Sequence, residues 1–524
     1  MLFNSIEFIF FFLPISLSVF FGIGKRNYHL VAISWLVLCS LFFYGWWNPA
    51  YLALILFSML FNYAFGVMLG NTGKQAARKG LLIFGIAVNL GLLGYYKYAH
   101  FFVEQVNGIF ESSFHFEQLV LPLAISFFTF QQVAYLVDAY RHETKEYNFL
   151  NYCLFVSFFP QLIAGPIVHH KEMLPQFTNN AIYKFNYEHF SIGLTIFVIG
   201  LFKKVVIADG VSIYATPVFI ASEQGIILTF FESWFGSLAY TLQLYFDFSG
   251  YSDMAIGVAR MFGILLPLNF HSPYKAKNII EFWRHWHMTL SRFLRDYIYI
   301  PLGGSRKGKI RRYVNLMLTM LLGGLWHGAG WTFVLWGVLH GFYLIINHAW
   351  HHLYSLFGGD GGQSSNWYAN FLARLITFIA IIVGWVFFRS ETYEGAFNIL
   401  SSMFGLNGFS VSPNMESLNG LGVISLLVDY GLKFDGFFFN ELAYWPDGVV
   451  IISLALLVAL FFPNTQQIMK NYNPAVGCNE EKTNESEGFL LWKPTIVHLI
   501  IVASVFIYSI LSMSTVSEFL YFNF

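Results

Sequence analysis

Two histidines lie among tryptophans in apolar stretches of the chain, where an ionisable side chain is costly and marks a functional site by default. His327 lies within the run Gly323–Trp331, and His287 lies within the run Phe282–Ser291. A neutral imidazole can accept a proton from a hydroxyl group near neutral pH. We therefore expect His327 and His287 to be catalytic residues that face one cavity.

Indole N–H groups beside these imidazoles could stabilise the negative charge that develops on a carbonyl oxygen during acyl transfer. The candidates are Trp283, Trp286 and Trp326, and we place all three in the substrate site. A base and such donors are the minimum equipment for moving an acyl group from a thioester to an alcohol. Neither histidine cluster has the ligand spacing of a zinc site, so we expect no metal. A proton relay in a transporter is the alternative role for the same histidines.

The composition indicates a membrane protein. Of the 524 residues, 56% are hydrophobic and only 11% are charged, whereas soluble proteins carry about 25% charged residues. Apolar stretches of about 20 residues, the length that spans a bilayer, predict an all-α polytopic membrane protein with on the order of a dozen membrane helices. We treat residues 1–524 as one domain. Because the formal net charge is zero, nothing points to a nucleic-acid partner. The stretches are 7–23, 30–48, 51–69, 81–97, 119–137, 150–168, 186–207, 226–247, 252–269, 314–347, 372–388, 448–463 and 493–513.

Basic loops indicate the orientation of these helices. Residues 24–27, 73–79 and 141–145 carry Lys and Arg, whereas the turn at 47–49 carries no charge. By the positive-inside rule the basic loops are cytoplasmic and the N-terminus is extracytoplasmic. The first apolar stretch lacks a basic leader and a small-residue cleavage site, so it is expected to be a retained anchor.

A basic segment precedes the helix that carries His327. If that helix is continuous from Tyr313, His327 lies fourteen residues on, roughly 21 Å from the cytoplasmic face. The cations could attract the phosphates of coenzyme A, and we place Arg306, Lys307 and Arg311 in the substrate site. Setting the topology and binding anionic lipids would explain the same charges at least as well.

Other polar residues and helix breaks also fall in apolar stretches. Asp247 and Asp253 flank Gly250 at an apparent junction of two helices, and Pro160 and Pro166 interrupt another stretch. Acids and breaks are tolerated there only where protein or water covers them. We therefore predict a central polar cavity with Asp247 in the substrate site, although capping or ion pairing would explain the carboxylates equally well. Four further histidines are expected at the membrane interface: His340, His348, His351 and His352.

Nine motifs together resemble the membrane-bound O-acyltransferase (MBOAT) family, in the bacterial branch that includes alginate O-acetylation proteins. They run in order from about residue 120 to residue 524, after the N-terminal helices of 1–119. The motifs are Phe127–Gln131, Tyr135–Arg141, Phe158–Pro166, Tyr245–Gly257, Phe282–Ser291, Tyr297–Gly304, Gly323–Trp331, Trp385–Arg389 and Glu518–Phe522.

The resemblance implies a multi-helix fold with a central funnel, in which His327 is the principal catalytic histidine and His287 the second. It implies that acetyl groups pass from a cytoplasmic donor, acetyl-CoA, to hydroxyls of an exported polysaccharide such as alginate, with no bound cofactor. It also implies a bacterial inner-membrane location and a periplasmic acetyltransferase partner of the SGNH-hydrolase type. D-alanyl transfer, peptidoglycan acyl transfer and proton-coupled transport are the alternatives. The helices after residue 440 favour polysaccharide acetylation, because the D-alanylation relatives are typically shorter.

Overall fold

The computed structural model describes residues 1–117, 119–144, 148–356, 366–411, 416, 422–429, 431–436, 445–477, 491–513 and 520. Within this part the chain is almost entirely helical. The strands β1 (Phe409–Ser410) and β2 (Leu432–Lys433) form one short parallel pair. Of the motif at Glu518–Phe522, only Leu520 falls inside the described residues.

The α-helices fall into two groups, before and after the loop at residues 262–278. The first group comprises α1 (Leu13–Gly24), α2 (His29–Gly45), α3 (Tyr51–Asn71), α4 (Gln75–Leu93), α5 (Ala99–Phe110), α6 (Ile125–Tyr140), α7 (Phe149–Ser157), α8 (Phe159–Leu162), α9 (His170–Phe177), α10 (Tyr187–Phe202), α11 (Asp209–Glu223) and α12 (Phe230–Met261). The second comprises α13 (Ile279–His285), α14 (Met288–Leu294), α15 (Lys309–His327), α16 (Trp331–Leu356), α17 (Trp367–Arg389), α18 (Tyr393–Met403), α19 (Gly422–Asp429), α20 (Trp445–Phe461), α21 (Thr465–Ile468) and α22 (Ile496–Leu511).

Four π-helical turns and three 3₁₀ turns interrupt or join these helices in the described part of the chain. The π turns matter most for the site, because such turns are rare and concentrate at functional positions. The π turns are Glu7–Phe12, Gly94–Tyr98, Lys203–Ala208 and Arg295–Tyr299. The 3₁₀ turns are Asn180–Tyr183, Pro273–Lys275 and Lys470–Tyr472.

The prediction of an all-α polytopic membrane protein is confirmed. Six helical segments in the described residues are long and apolar enough to cross a membrane, and three shorter apolar helices accompany them. The six are Glu7–Gly24, Tyr51–Asn71, Gln75–Phe110, Tyr187–Glu223, Trp331–Leu356 and Trp367–Arg389. The shorter three are His29–Gly45, Pro446–Phe461 and Ile496–Leu511.

The predicted junction at Gly250 is wrong, because α12 is one continuous helix of 32 residues. Gly250 packs against Gly200 of α10, and a Cβ added to Gly250 would lie 2.7 Å from the carbonyl oxygen of Gly200. Gly193 and Gly257 meet in the same way, at 2.5 Å and 2.6 Å. Small residues let membrane helices approach closely. The glycine therefore marks a helix contact and not a break, and α12 lies buried at the centre of the fold.

The apolar stretch 314–347 does not form a single helix. The chain ends α15 at His327, adopts an extended backbone at Gly328, and starts α16 at Trp331. The two helices form a close hairpin, since a Cβ added to Gly337 would lie 2.5 Å from the carbonyl oxygen of Met320. This hairpin places the end of α15 inside the protein, beside α13, α14 and α17.

Candidate active site

His287 occupies a sharp turn between α13 and α14. Its backbone is left-handed, with a φ of 43°, and its side chain is fully buried. The backbone carbonyl of Asn269 steadies the turn by accepting the N–H of Met288 at 2.9 Å. The helix α13 ends at His285, and α14 begins at Met288. Because of this turn, His285 and His287 do not lie on one helix.

The side chain of Asn269 determines which nitrogen of His287 carries the hydrogen. Asn269 Oδ1 accepts the backbone N–H of Thr289 at 3.4 Å and its hydroxyl at 3.0 Å, which identifies this atom as the amide oxygen. The same Oδ1 lies 3.1 Å from Nδ1 of His287. In the neutral imidazole Nδ1 is therefore the donor, and Nε2 holds the lone pair. His287 thus presents a proton acceptor at Nε2.

His327 is the last residue of α15 and is 4% exposed. Its ring contacts three aromatic rings, with centroid separations of 4.9 Å to Trp326, 5.1 Å to Trp336 and 5.1 Å to Phe388. Trp336 belongs to α16 and Phe388 to α17. The orientation of this imidazole therefore depends on how α15, α16 and α17 pack together.

Trp326 lies against both histidines. Its ring centroid is 4.9 Å from that of His327 and 6.1 Å from that of His287. Phe130 of α6 stacks on it at 5.1 Å. Among the described residues, no acceptor takes up the indole N–H of Trp326. The structure thus brings the two predicted histidines to one indole whose N–H can donate to a reacting carbonyl oxygen, while their catalytic roles stay predictions.

Trp283 lies on α13, and Trp286 follows the last residue of that helix. Both pack against other aromatic side chains near the histidines. Trp283 packs 5.7 Å from Trp336, which itself contacts His327. Trp286 packs 4.8 Å from Trp385 of α17. These two tryptophans help to hold the histidines in place, and their contact with substrate stays a prediction.

Asp247 lies inside α12 in an ion-paired cluster. Its carboxylate is 2.7 Å from Nζ of Lys204 and accepts the backbone N–H of Leu520 at 3.1 Å. Asp253, farther along the helix, pairs with Lys203 at 2.6 Å. These contacts correspond to the structural role that the sequence left open. A direct role for Asp247 in substrate binding stays a prediction.

The three cations assigned to the substrate site lie at or before the start of α15, far from the imidazoles. Arg306, Lys307 and Arg311 are all exposed. The 19 residues of α15 span roughly 27 Å between this end and His327. The structure therefore does not bring these cations to the histidines. An acyl donor bound by the cations would have to extend roughly 27 Å to reach His327.

Two of the four histidines expected at the membrane interface also lie near the start of α15. Lys309 is 2.8 Å from His352, and Arg312 is 2.8 Å from His348. His352 is exposed and His348 is partly exposed. Their interfacial location stays a prediction.

The interfacial expectation for His340 is wrong. Its side chain is fully buried between Trp283, at 5.2 Å, and Trp336, at 4.8 Å. Neither ring nitrogen of His340 has a hydrogen-bond partner among the described residues. The sequence feature that indicates this burial is the position of His340 about one helical turn after Trp336, on the same face of α16. Within the same part of the chain, no three His, Cys, Asp or Glu side chains are grouped as metal ligands.

Comparison with known proteins identifies relatives across most of the chain. Residues 99–388 match the model of the MBOAT, membrane-bound O-acyltransferase family. A peptidoglycan O-acetyltransferase of Helicobacter pylori is 47% identical over 437 residues, which are 78% of this chain and 81% of the relative. A probable alginate O-acetylase of Pseudomonas syringae pv. tomato is 41% identical over 438 residues, 82% of this chain and 80% of the relative. A teichoic acid D-alanyltransferase of Streptococcus thermophilus is 30% identical over 257 residues, 45% of this chain and 58% of the relative.

The family match includes both histidines, all three tryptophans of the predicted site and the hairpin of α15 and α16. It confirms the resemblance found in the sequence motifs and the expectation of an enzyme. The chain is a multi-pass membrane O-acyltransferase, and it belongs to the membrane-bound O-acyltransferase family.

Proposed function

We propose that this protein transfers acetyl groups from cytoplasmic acetyl-CoA towards hydroxyls of a polysaccharide exported across the bacterial inner membrane. The observation that carries the proposal is the contact of two buried imidazoles, His327 and His287, with the indole of Trp326. Acetyl transfer is favoured over D-alanyl transfer by the extent of the relatives' matches. The two O-acetylating relatives match 78% and 82% of this chain, and the D-alanyltransferase matches 45%.

The site residues have distinct roles in this reaction. His327 takes the proton of the attacking hydroxyl while the hydroxyl oxygen forms a bond to the thioester carbonyl carbon. The oxyanion of the tetrahedral intermediate accepts the indole N–H of Trp326. When the intermediate collapses, the C–S bond breaks, and the departing thiolate takes the proton back from His327. The products are an O-acetyl ester and a free thiol.

His287 serves the same site as a second acceptor. Because Asn269 Oδ1 takes up the hydrogen on Nδ1, Nε2 is the acceptor nitrogen of the neutral imidazole. In its neutral form His287 therefore does not supply an N–H from Nε2 to an oxyanion. The indole of Trp326 is the better donor for that role.

The donor and the acceptor approach from opposite sides in this proposal. The exposed cations Arg306, Lys307 and Arg311 attract the phosphates of acetyl-CoA on the cytoplasmic side. The acetyl group then reaches a hydroxyl delivered from the other side. From the ester formed there, a periplasmic acetyltransferase of the SGNH-hydrolase type passes the acetyl group on to the polymer. In this proposal the N-terminus is extracytoplasmic.

Two polymers are candidates for the acceptor. An exopolysaccharide of the alginate type is supported by the relative that is 41% identical and named an alginate O-acetylase. Peptidoglycan is supported by the relative that is 47% identical and named a peptidoglycan O-acetyltransferase.

The test is to delete and restore the gene, and to measure ester-linked acetate separately in exported polysaccharide and in purified peptidoglycan. Loss of acetate from one fraction, restored by the intact gene, identifies the acceptor. D-alanine esters are measured in the same extracts as the control. Unchanged acetate in both fractions, or loss of D-alanine esters alone, would overturn the proposal.

A further inference from the structure

The carboxyl end of α15 cannot cap itself. The last four carbonyls of an α-helix lack partners within the helix. The carbonyl of Gly324 receives the N–H of Gly328 at 3.4 Å, and the chain then leaves the helix with an extended backbone. The carbonyls of Leu325, Trp326 and His327 must find donors elsewhere, because a polar group that is buried without a hydrogen-bond partner destabilises the fold.

Two consecutive residues of another helix donate to all three carbonyls. Nζ of Lys97 lies 2.6 Å from the carbonyl oxygen of Trp326 and 3.1 Å from that of His327. The hydroxyl of Tyr98 lies 2.6 Å from the carbonyl oxygen of Leu325. Lys97 and Tyr98 thus form a complete external cap on the helix that ends in His327.

The geometry around Lys97 fits this task. Its ammonium group has three hydrogens, and the third faces Ser126 Oγ at 3.4 Å. A cation at the carboxyl end of a helix is favoured by the helix dipole. Lys97 and Tyr98 belong to the π turn Gly94–Tyr98 between α4 and α5. They lie just before residue 99, where the family match begins.

We propose that Lys97 is a positioning residue for acyl transfer, and that its bond to the carbonyl of His327 fixes the orientation of the catalytic imidazole. Tyr98 donates to the carbonyl oxygen of Leu325 and so helps to hold the same helix end in place. The inference rests on the proposed catalytic role of His327. Without the ammonium group, the last turn of α15 is free to move relative to Trp326 and His287. A displacement of about 1 Å in an active site can cost about 100-fold in rate.

The test compares three variants at matched abundance in the membrane. Lys97→Met keeps an apolar stem but removes every donor, and Lys97→Arg retains a positive charge and N–H donors. Lys79→Met is the control, because it makes the same change at an exposed position of α4. We expect ester-linked acetate per molecule of protein to fall about 10- to 100-fold in Lys97→Met. Lys97→Arg should recover most of the activity, and Lys79→Met should match the wild type.

Two further measurements separate positioning from folding. In membrane vesicles, Lys97→Met should lower kcat for thiol release from acetyl-CoA and leave KM for acetyl-CoA within about twofold, since only the orientation of the base has changed. Amide exchange should become faster at residues 325–331 and stay unchanged in α12. If Lys97→Met does not accumulate, Tyr98→Phe, which removes one hydroxyl, should show the same local exchange with a smaller loss of acetate.

The outcomes distinguish this inference from the proposed function. Full acetylation by His327→Ala would overturn both together. An inactive His327→Ala beside a Lys97→Met that acetylates and exchanges like the wild type would overturn the positioning role alone. Equal loss of activity in Lys97→Met and Lys97→Arg would also contradict it, because the arginine retains the donors.

Discussion

The two ends of α15 differ in how firmly their polar groups are held. At the carboxyl end, the His327 ring contacts side chains of α16 and α17, and its backbone is capped by Lys97. At the amino end, Arg306 and Arg311 are exposed. Proton transfer requires a fixed geometry, whereas attraction of a charged donor requires only proximity. In the proposed function, proton transfer and electrostatic attraction of the donor are therefore divided between the two ends of one helix.

The largest effect is expected at the carboxyl end. His327→Ala should remove polymer acetylation while leaving membrane abundance nearly unchanged, because loss of a positioned base costs on the order of 10²–10⁴ in rate. Ester-linked acetate, normalised to the amount of protein in the membrane, measures this. Normal acetylation by a stably inserted His327→Ala variant would show that the carboxyl end of α15 does not supply the catalytic base.

The second effect extends the comparison to the neighbouring turn. His287→Ala should lower acetylation by about 10²-fold, because it removes an acceptor that Asn269 orients. His285→Ala is the matched control and should be tolerated better, since His285 is partly exposed. Acetate release from the isolated polymer compares the two variants. The reverse ranking would show that the wrong histidine of this segment has been assigned to the site.

The third effect concerns the hairpin that carries His327 into the core. In Gly324→Ala the new methyl group would collide with the backbone carbonyl of Phe333. Overpacking of this kind typically costs about 1–3 kcal/mol, so the thermal midpoint and the membrane abundance should both fall. Gly80→Ala on α4 is the control, because a Cβ there meets nothing within 4 Å. Equal stability of the two variants would show that the hairpin can shift enough to accommodate the added methyl group.

The smallest effect is expected at the amino end. Replacing the five basic residues at positions 306–312 by Gln should raise KM for acetyl-CoA by roughly several-fold and weaken its dependence on salt, because the attraction that is removed is screened within about 10 Å at 0.1 M salt. Initial rates in inside-out vesicles at two salt concentrations measure both changes. Cysteine labelling from each side checks that the helices keep their orientation. An unchanged KM and salt response would leave these cations only a topological role.

The sequence alone singled out the two histidines that lie against the indole of Trp326, because His327 and His287 each lie beside a tryptophan in an apolar stretch. Contacts with distant partners could not be read in this way. Gly250 looks like a helix breaker until Gly200 of another helix is seen beside it. Lys97 looks like the end of an apolar stretch, although the carbonyls that it caps lie 229 and 230 residues away.

His340 shows a different limit of the sequence. It belongs to the same helix as His348, and both stand among apolar and aromatic neighbours. Which one is buried depends on how α16 is rotated and on what packs against each turn. Trp283 of α13 covers His340, whereas Arg312 of α15 meets His348. Neither partner could be assigned before the fold was known.

The π turns have a consequence for insertions and deletions in the gene. At Gly94–Tyr98 and at Lys203–Ala208, two consecutive side chains reach the same neighbour: Lys97 and Tyr98 reach α15, and Lys203 and Lys204 reach α12. A π turn holds more residues than an α turn, and each residue of an α-helix rotates the chain by about 100°. Deleting one residue at either turn would rotate everything before it relative to everything after it. At these two places, the number of residues is therefore under as strong a constraint as their identity.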